Sequence, residues 1–136
     1  MIMNVFFTCV GQGSLGSKAD KIYYPIQQVL KSRLGDYGDG LSQWFLLFSI
    51  LGPGVPGHDA PERVLWKKKT RDLDMRLVVD FDMFKRGSEA ERRNMLIACM
   101  RRSLELIEAK NIPNFNILAL KNDFEQIVAD EGWEET

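Results

Sequence analysis

The sequence predicts an α+β fold with a mainly antiparallel four-stranded sheet and helices packed on one face. The 136 residues suit a single domain, 1–136, because a chain of this length buries enough surface to fold without a metal or a disulfide. Short runs of β-branched and aromatic residues predict the strands, and two capping-box patterns mark helix starts. The predicted order is β-α-β-β-β-α-α, which lacks the regular strand–helix alternation of a parallel sheet.

The first predicted strand is Met1–Val10, and a glycine-rich loop follows it over residues 11–16. Ser17 begins an S-x-x-D pattern, a variant of the capping box, so we expect a helix from there to about Leu34. Pro25 falls inside this helix. It either kinks the helix or marks the start of its regular part, because proline suits a first turn and disrupts a helix interior.

Three further strands are predicted in the middle of the chain. Leu41–Leu51 is apolar on both faces and therefore indicates a central strand. A proline-rich loop over 52–61 separates it from two more strands, Glu62–Lys69 and Leu73–Asp82. Only a few residues join these last two strands, which favours an antiparallel hairpin.

Two helices are predicted to complete the chain. Ser88 and Glu91 form a full capping box, and the helix they open should run to about Lys110. Its buried stripe, at the spacing of one helical face, is predicted to be Leu96, Cys99 or Met100, Ser103 or Leu104, and Ile107. A last helix should follow Asn114 or Asn116 and bury Ile117, Leu120, Phe124, Ile127 and Val128. We expect the acidic tail DEGWEET to fray.

Composition excludes some classes of function. The chain has 18 Lys and Arg against 19 Asp and Glu, which argues against a dedicated nucleic-acid binder. No apolar run approaches the ~20 residues needed to span a bilayer, and no segment resembles a signal peptide. Cys9 and Cys99 lie in apolar segments and are predicted to be buried free thiols. Reduced thiols are typical of a cytoplasmic protein.

Residues 11–18, GQGSLGSK, contain the G-x-G-x-x-G pattern of dinucleotide-binding folds. That fold also needs an acidic residue at the end of the second strand, and the chain has Leu51 and Gly52 there. A helix beginning at Ser17 would leave all three glycines outside it, and Gly-Ser-Lys is the wrong order for a phosphate-binding P-loop. A small nucleotide-binding or hydrolytic enzyme that uses this loop is the alternative to a binding protein.

An acidic ladder is predicted in the stretch DLDMRLVVDFD, residues 72–82. Strand alternation would place one set of side chains on a common face: Asp72, Asp74, Arg76, Val78, Asp80 and Asp82. Three alternative interpretations of this face are a solvated surface, a divalent-metal site and a surface for a basic partner. The only histidine, His58, lies in the proline-rich loop. We therefore expect no metal site, no cofactor and no catalytic group.

A lysine-rich stretch precedes this ladder. Residues 67–69 are three lysines, and Arg71 follows them. Acidic residues are interleaved with the basic ones, which favours ordinary surface charge, and lysines on a strand can also protect an exposed sheet edge. Trp44 and Trp66 belong either to the core or to an interface, and the core is favoured for Trp44.

Three segments together resemble small α+β immunity proteins of bacterial toxin systems, including contact-dependent growth-inhibition and polymorphic-toxin systems. The resemblance rests on YGDG before an apolar strand, on KKK leading into L-D-x-R-L-x-x-D-F, and on an acid-capped long helix before a short final one. The segments are DYGDGLSQWFLLFSIL (36–51), WKKKTRDLDMRLVVDFDMF (66–84) and SEAERRNMLIACMRRSLELIEAKNIPNFNILAL (88–120).

The resemblance implies a non-enzymatic cytoplasmic protein that binds the C-terminal domain of one cognate toxin and neutralises it stoichiometrically. Such toxins are often nucleases, whose basic surfaces suit acidic partners. The implied partners exclude nucleic acid and membranes, and the oligomeric state stays open. An unrelated cytoplasmic adaptor is a further alternative. The residues expected to contact the toxin are Asp36, Tyr37, Asp39, Asp72, Asp74, Asp80 and Asp82.

Overall fold

A computed structural model of the chain describes residues 4–10, 13–38, 44–51 and 60–134. The helices and strands of these ranges follow one another as β1 (Asn4–Val10), α1 (Gly13–Arg33), β2 (Phe45–Leu51), β3 (Arg63–Lys67), β4 (Asp72–Leu77), α2 (Phe81–Arg86), α3 (Glu89–Ala109) and α4 (Ile117–Glu131). The α+β class is confirmed. The short helix α2 is an addition to the predicted order.

The sheet is mixed, not mainly antiparallel as the sequence predicted. Its strand order is β1-β2-β4-β3, with β1–β2 and β2–β4 parallel and only β3–β4 antiparallel. The predicted hairpin of β3 and β4 is therefore confirmed, and so is the central place of β2. The prediction of a mainly antiparallel sheet failed because turn signals specify the hairpin of β3 and β4 but not which of these two strands lies beside β2.

Burial explains why β4 takes the position beside β2. Leu73, Met75 and Leu77 are completely buried on one face of β4, and Asp74 is buried on the other. In contrast, Leu65 and Lys67 of β3 are exposed. A strand covered on both faces belongs inside a sheet, whereas a half-exposed strand with lysine suits an edge.

Helix α1 begins at Gly13, four residues before the predicted cap at Ser17. Gly13 and Gly16 therefore lie inside the helix, contrary to expectation, and Pro25 also lies within it. The buried residues Ile22, Ile26, Leu30 and Leu34 follow the helical spacing, and they belong to the main core. Such packing outweighs the ~1 kcal/mol that each glycine costs a helix.

Strand β4 ends at Leu77, well short of the predicted Asp82. Asp80 instead caps α2, because its Oδ1 accepts a hydrogen bond from the backbone N–H of Met83 at 3.0 Å. Aspartate is among the preferred residues at a helix N-terminus. The alternating pattern continued past the true end of the strand, so Asp80 and Asp82 were wrongly assigned to it.

Helix α3 agrees with its prediction in start, length and buried face. The Ser88 hydroxyl accepts a bond from the Glu91 N–H at 3.2 Å, and the Glu91 carboxylate accepts one from the Ser88 N–H at 3.1 Å. The predicted stripe is buried. At the two positions where the sequence left a choice between neighbouring residues, both residues are buried, so that the stripe consists of Leu96, Cys99, Met100, Ser103, Leu104 and Ile107. Helices α1 and α3 contact each other and both pack on the sheet, which places them on the same face.

Helix α4 begins after its cap, Asn116, and buries four of the five predicted residues, with Ile117 partly buried. The predicted fraying is wrong as far as Glu134; residues 135–136 lie outside the described ranges. Gly132 adopts a left-handed conformation with φ of 63°. This turn folds Trp133 back onto the core, where its carbonyl accepts a bond from Arg93 Nε at 2.9 Å.

Removal of the Ser88 side chain from the capping box should cause a measurable loss of stability. We expect Ser88→Ala to lower the free energy of unfolding by about 1 kcal/mol, because the Glu91 N–H loses its acceptor. Urea unfolding should show a lower midpoint with an unchanged slope. Ser88→Asp, which keeps an acceptor, is the matched control and should stay near wild type. Equal midpoints for Ser88→Ala and wild type would contradict this assignment.

Candidate functional site

The acidic residues predicted to contact a partner lie at two ends of β4, not on one ladder. Asp72 is the first residue of β4, whereas Asp80 and Asp82 follow its last residue. A six-residue strand spans about 17 Å at ~3.3 Å per residue. Gly38 packs against Trp44, which directly precedes β2, so Asp36 lies at the same end of the sheet as Asp72. The predicted acidic face over residues 72–82 is therefore wrong, because Asp72 lies with Asp36 at one end of the strand and Asp80 and Asp82 form a separate pair at the other.

Four of these carboxylates are accessible to a partner. Asp36, Asp80 and Asp82 are exposed, and Asp72 is half-buried. Asp36 Oδ1 accepts a bond from the Gly38 N–H at 2.9 Å, and Asp72 Oδ2 accepts one from the Thr70 hydroxyl at 2.9 Å. Each of these two carboxylates thus orders its own turn and still faces outward.

Asp74 is a structural residue in this fold, with only 6% of its surface exposed. Its carboxylate accepts a bond from the Ser49 hydroxyl at 2.9 Å and two from the Arg76 guanidinium, at 3.1 Å and 2.7 Å. A buried carboxylate is tolerated when it is paired and hydrogen-bonded in this way. Asp74 therefore joins β4 to β2 and leaves little surface for a partner.

Tyr37 is also buried, with 6% of its surface exposed. Its hydroxyl donates to Asp123 Oδ2 at 2.6 Å and accepts from the Gly35 N–H at 3.2 Å. Burial, and then the bond to Asp123, raise the pKa of Tyr37 to about 12. Tyr37 thus fixes the segment after α1 against α4. Asp39, which was predicted to act beside it, lies outside the described residues.

A pocket lined by two tryptophans lies at the end of the sheet where β2 and β4 begin. Its volume is about 160 Å3, and we call it the tryptophan pocket; its lining is Trp44, Trp66, Lys68, Arg71, Pro113 and Asn114. Three segments meet here: the residue before β2, the β3–β4 hairpin and the α3–α4 connection. Loops brought together on a rigid sheet are a common location for binding residues.

Both indole N–H groups of this pocket are buried and lack a hydrogen-bond partner within the described ranges. An unpaired buried donor costs about 1–3 kcal/mol. Each ring also lies beside a cation: Lys68 Nζ is 5.0 Å from the centroid of Trp66, and Arg71 Cζ is 5.9 Å from that of Trp44. Sequence reasoning missed this site, although the adjacent letters WKKKTR already brought a tryptophan and cations together.

The backbone around the tryptophan pocket adopts uncommon conformations. Among the described residues, non-glycine residues have positive φ at Arg71 (58°), Asn111 (52°) and Asn114 (58°), and two of these three line the pocket. Such conformations are uncommon outside glycine and concentrate at functional sites. A Cβ at Gly38 would lie 2.4 Å from Trp44 Nε1. Only glycine therefore permits this close approach to the indole.

The single described cysteine side chain, Cys99, is buried as predicted. Burial raises the pKa of its thiol to about 11, so it is a poor nucleophile. Nearby, Arg102 donates two bonds to the Glu62 carboxylate, at 2.7 Å and 3.1 Å. Burial favours a higher pKa for Glu62, but the bonds from Arg102 and the Val78 N–H lower it overall. This cluster ties the start of β3 to α3.

The described ranges contain no group of three His, Cys, Asp or Glu residues placed to bind a metal ion. Within the same ranges, no helix has the length and hydrophobicity to cross a bilayer. A second groove of about 450 Å3 lies where α2 meets α3. Gly11 and Gln12 of the glycine motif, and His58, lie outside the described residues.

A family profile described as immunity protein 44 matches residues 3–130, almost the whole chain. The chain belongs to the immunity protein 44 family. The resemblance inferred from the sequence segments is thereby confirmed at the level of an immunity protein. Comparison with curated proteins and with solved structures gave no match. Membership of this family indicates a role in toxin neutralisation in general.

The raised pKa of Tyr37 predicts that the stability of this immunity-family protein depends on pH. Its pKa is raised from 10.0 to about 12, so the folded state favours the neutral phenol. The resulting stabilisation is complete below pH 10 and is lost as the pH rises toward 12. We expect spectrophotometric titration of tyrosinate to show a late step that Tyr37→Phe removes.

The matched control is Tyr24→Phe, because Tyr24 is 57% exposed. This variant should keep the late step. A late step that persists in Tyr37→Phe would contradict the assignment to Tyr37.

Proposed function

We propose that this protein binds the C-terminal domain of one bacterial toxin and neutralises it as a stoichiometric complex. The observation that supports this most strongly is the family match over residues 3–130. The complex would form in the cytoplasm of the cell that makes both proteins, in a contact-dependent or polymorphic-toxin system. Inhibition would follow from covering a surface that the toxin needs, without a reaction on the part of the immunity protein.

We further propose that the toxin approaches with a basic surface, as a nuclease would. The support is that Asp36, Asp80 and Asp82 are exposed and Asp72 is only half-buried, since complementary charge accelerates association and selects the partner. Tyr37 and Asp74 would contribute indirectly by holding Asp36 and Asp72 in place. Asp39 belongs to the same proposal through its position in the sequence.

Of the two ends of the sheet, we propose that the one with Asp36 and Asp72 faces the toxin. This end also has the tryptophan pocket and three converging segments. Tryptophan and arginine are enriched among the residues that dominate interface energies, whereas isolated surface carboxylates contribute little. The pair Asp80 and Asp82 would then act mainly through long-range attraction.

Co-expression tests the function directly. We expect the chain to restore growth to cells that produce the C-terminal domain of the toxin encoded directly upstream, and to purify with that domain in equal amounts. Growth should not be restored against the C-terminal domain of an unrelated toxin, which is the control for specificity. Failure to rescue and to co-purify would overturn the proposal.

Calorimetry with ATP, GTP and NAD addresses the alternative of a nucleotide-dependent enzyme. Helix α1 begins at Gly13, so two glycines of the motif lie inside it. Calorimetry measures nucleotide binding directly, which the rescue experiment does not. The proposal expects no heat of binding. Micromolar affinity for any of the three would favour the alternative.

Asparagine substitutions test which acidic pair faces the toxin. Asparagine keeps the side-chain oxygen that caps α2 or orders a turn but removes the charge. We expect Asp36→Asn with Asp72→Asn to slow association severalfold at low ionic strength and to weaken its salt dependence. Asp80→Asn with Asp82→Asn should have a smaller effect. Unchanged association rates for both pairs at low salt would contradict an acidic contact surface.

A further inference from the structure

The tryptophan pocket has donors without acceptors. An indole nitrogen can only donate a hydrogen bond, and Nε1 of Trp44 and of Trp66 has no acceptor within the described part of the chain. Both rings line the same small cavity. A ligand that completes this site must therefore bring acceptor oxygens.

The charge around the pocket favours an acceptor with negative charge. Lys68 and Arg71 belong to the lining, and no acidic residue is among its described members. Lys67 and Lys69, on either side of Lys68, are exposed. Lys68 Nζ lies 5.0 Å from the centroid of Trp66, so this cation is held close to one of the unpaired donors. Hydrogen bonds to charged acceptors are about twice as strong as neutral ones.

The size of the pocket excludes most anionic ligands. Its volume is about 160 Å3, below the roughly 300–1,000 Å3 of sites for cofactors and drug-sized molecules. A nucleotide does not fit, whereas a single short side chain with two oxygens does. The nearly balanced charge of the whole chain, −1, also disfavours a nucleic-acid backbone as the ligand.

We propose that the tryptophan pocket binds the carboxylate of an aspartate or glutamate side chain from the toxin. The proposal rests on the proposed function and adds the chemistry of one contact. One carboxylate oxygen accepts from an indole N–H, and the exposed ammonium of Lys68 neutralises the charge. The toxin surface at this end then has basic groups opposite Asp36 and Asp72 and one acidic group for the pocket. Such a mixed pattern fixes the orientation of a complex.

Binding requires a small rearrangement at the rim. Both indole nitrogens are covered in the free protein. Nε1 of Trp44 lies against the main chain of Gly38, so the donor that an acceptor reaches most readily is Nε1 of Trp66, once a neighbouring side chain moves. Lys68 is exposed, and lysine has a long flexible side chain. Its ammonium can therefore leave the ring of Trp66 and turn toward the incoming carboxylate.

Affinity for the toxin tests the proposal. The probe is the purified C-terminal domain of the toxin encoded upstream, and calorimetry measures its affinity for the full-length chain. We expect Lys68→Glu to weaken binding by about tenfold or more, because a charge-assisted bond is lost and a repulsion is added. Trp66→Phe, which keeps an aromatic ring but removes the donor, should weaken binding roughly threefold to tenfold.

Lys69→Glu is the matched control, since it makes the same charge change on the adjacent residue outside the pocket. It should change affinity by roughly twofold or less. Urea unfolding of each variant verifies that it is folded. Equal losses of affinity for Lys68→Glu and Lys69→Glu would contradict carboxylate binding in the tryptophan pocket and leave the proposed function intact. Absence of binding by the wild-type chain would instead overturn both.

Indole N–H signals in NMR spectra distinguish a toxin side chain from a free anion. The chain has three tryptophans, and the indole signal that disappears in Trp66→Phe belongs to Trp66. We expect the toxin domain to move the signal of Trp44 or Trp66 downfield and to leave Trp133, which follows α4, unchanged. Acetate and inorganic phosphate at millimolar concentration should move neither. Saturable shifts with acetate or phosphate but none with the toxin would overturn the assignment to a toxin carboxylate.

Discussion

Burial of β4 on both faces is the constraint on which the rest of this structure depends. Leu73, Met75 and Leu77 are completely buried on one face, and the paired Asp74 is buried on the other. Because β4 must be covered on both sides, it takes the position beside β2, and its hairpin partner β3 becomes the edge. Two of the three strand pairings are consequently parallel, and β2 and β4 begin at the same end of the sheet.

This arrangement of strands creates the candidate binding end. Once β4 lies beside β2, the Phe45 N–H bonds to the Arg71 carbonyl at 3.0 Å, so the hairpin turn lies next to Trp44. Trp44, the basic turn with its neighbour Trp66, and the α3–α4 connection then converge, although these three segments are distant in sequence. The buried network of Ser49, Asp74 and Arg76 joins the same two strands. It therefore reinforces the same pairing farther along the two strands.

Predictions from local patterns succeeded where the local signal and the tertiary structure agreed. The capping box at Ser88 gave the start of α3, because both of its hydrogen bonds are internal to one turn. The pattern at Ser17 has the same form, but α1 begins at Gly13. Likewise, alternation correctly placed Leu73, Met75 and Leu77 on one face and then continued past the end of the strand. Neither pattern contains the information about where packing starts or stops.

The sequence by itself determined the α+β class, the bounds of α3, the stripe that α3 buries and the resemblance to immunity proteins. These follow from short-range periodicity and from the order of motifs along the chain. Only the tertiary structure decided the mixed sheet, the separation of the acidic residues into two pairs and the tryptophan pocket. Each of these depends on which distant residues become neighbours when β4 is buried, and Trp44 and Lys68 meet only through that pairing.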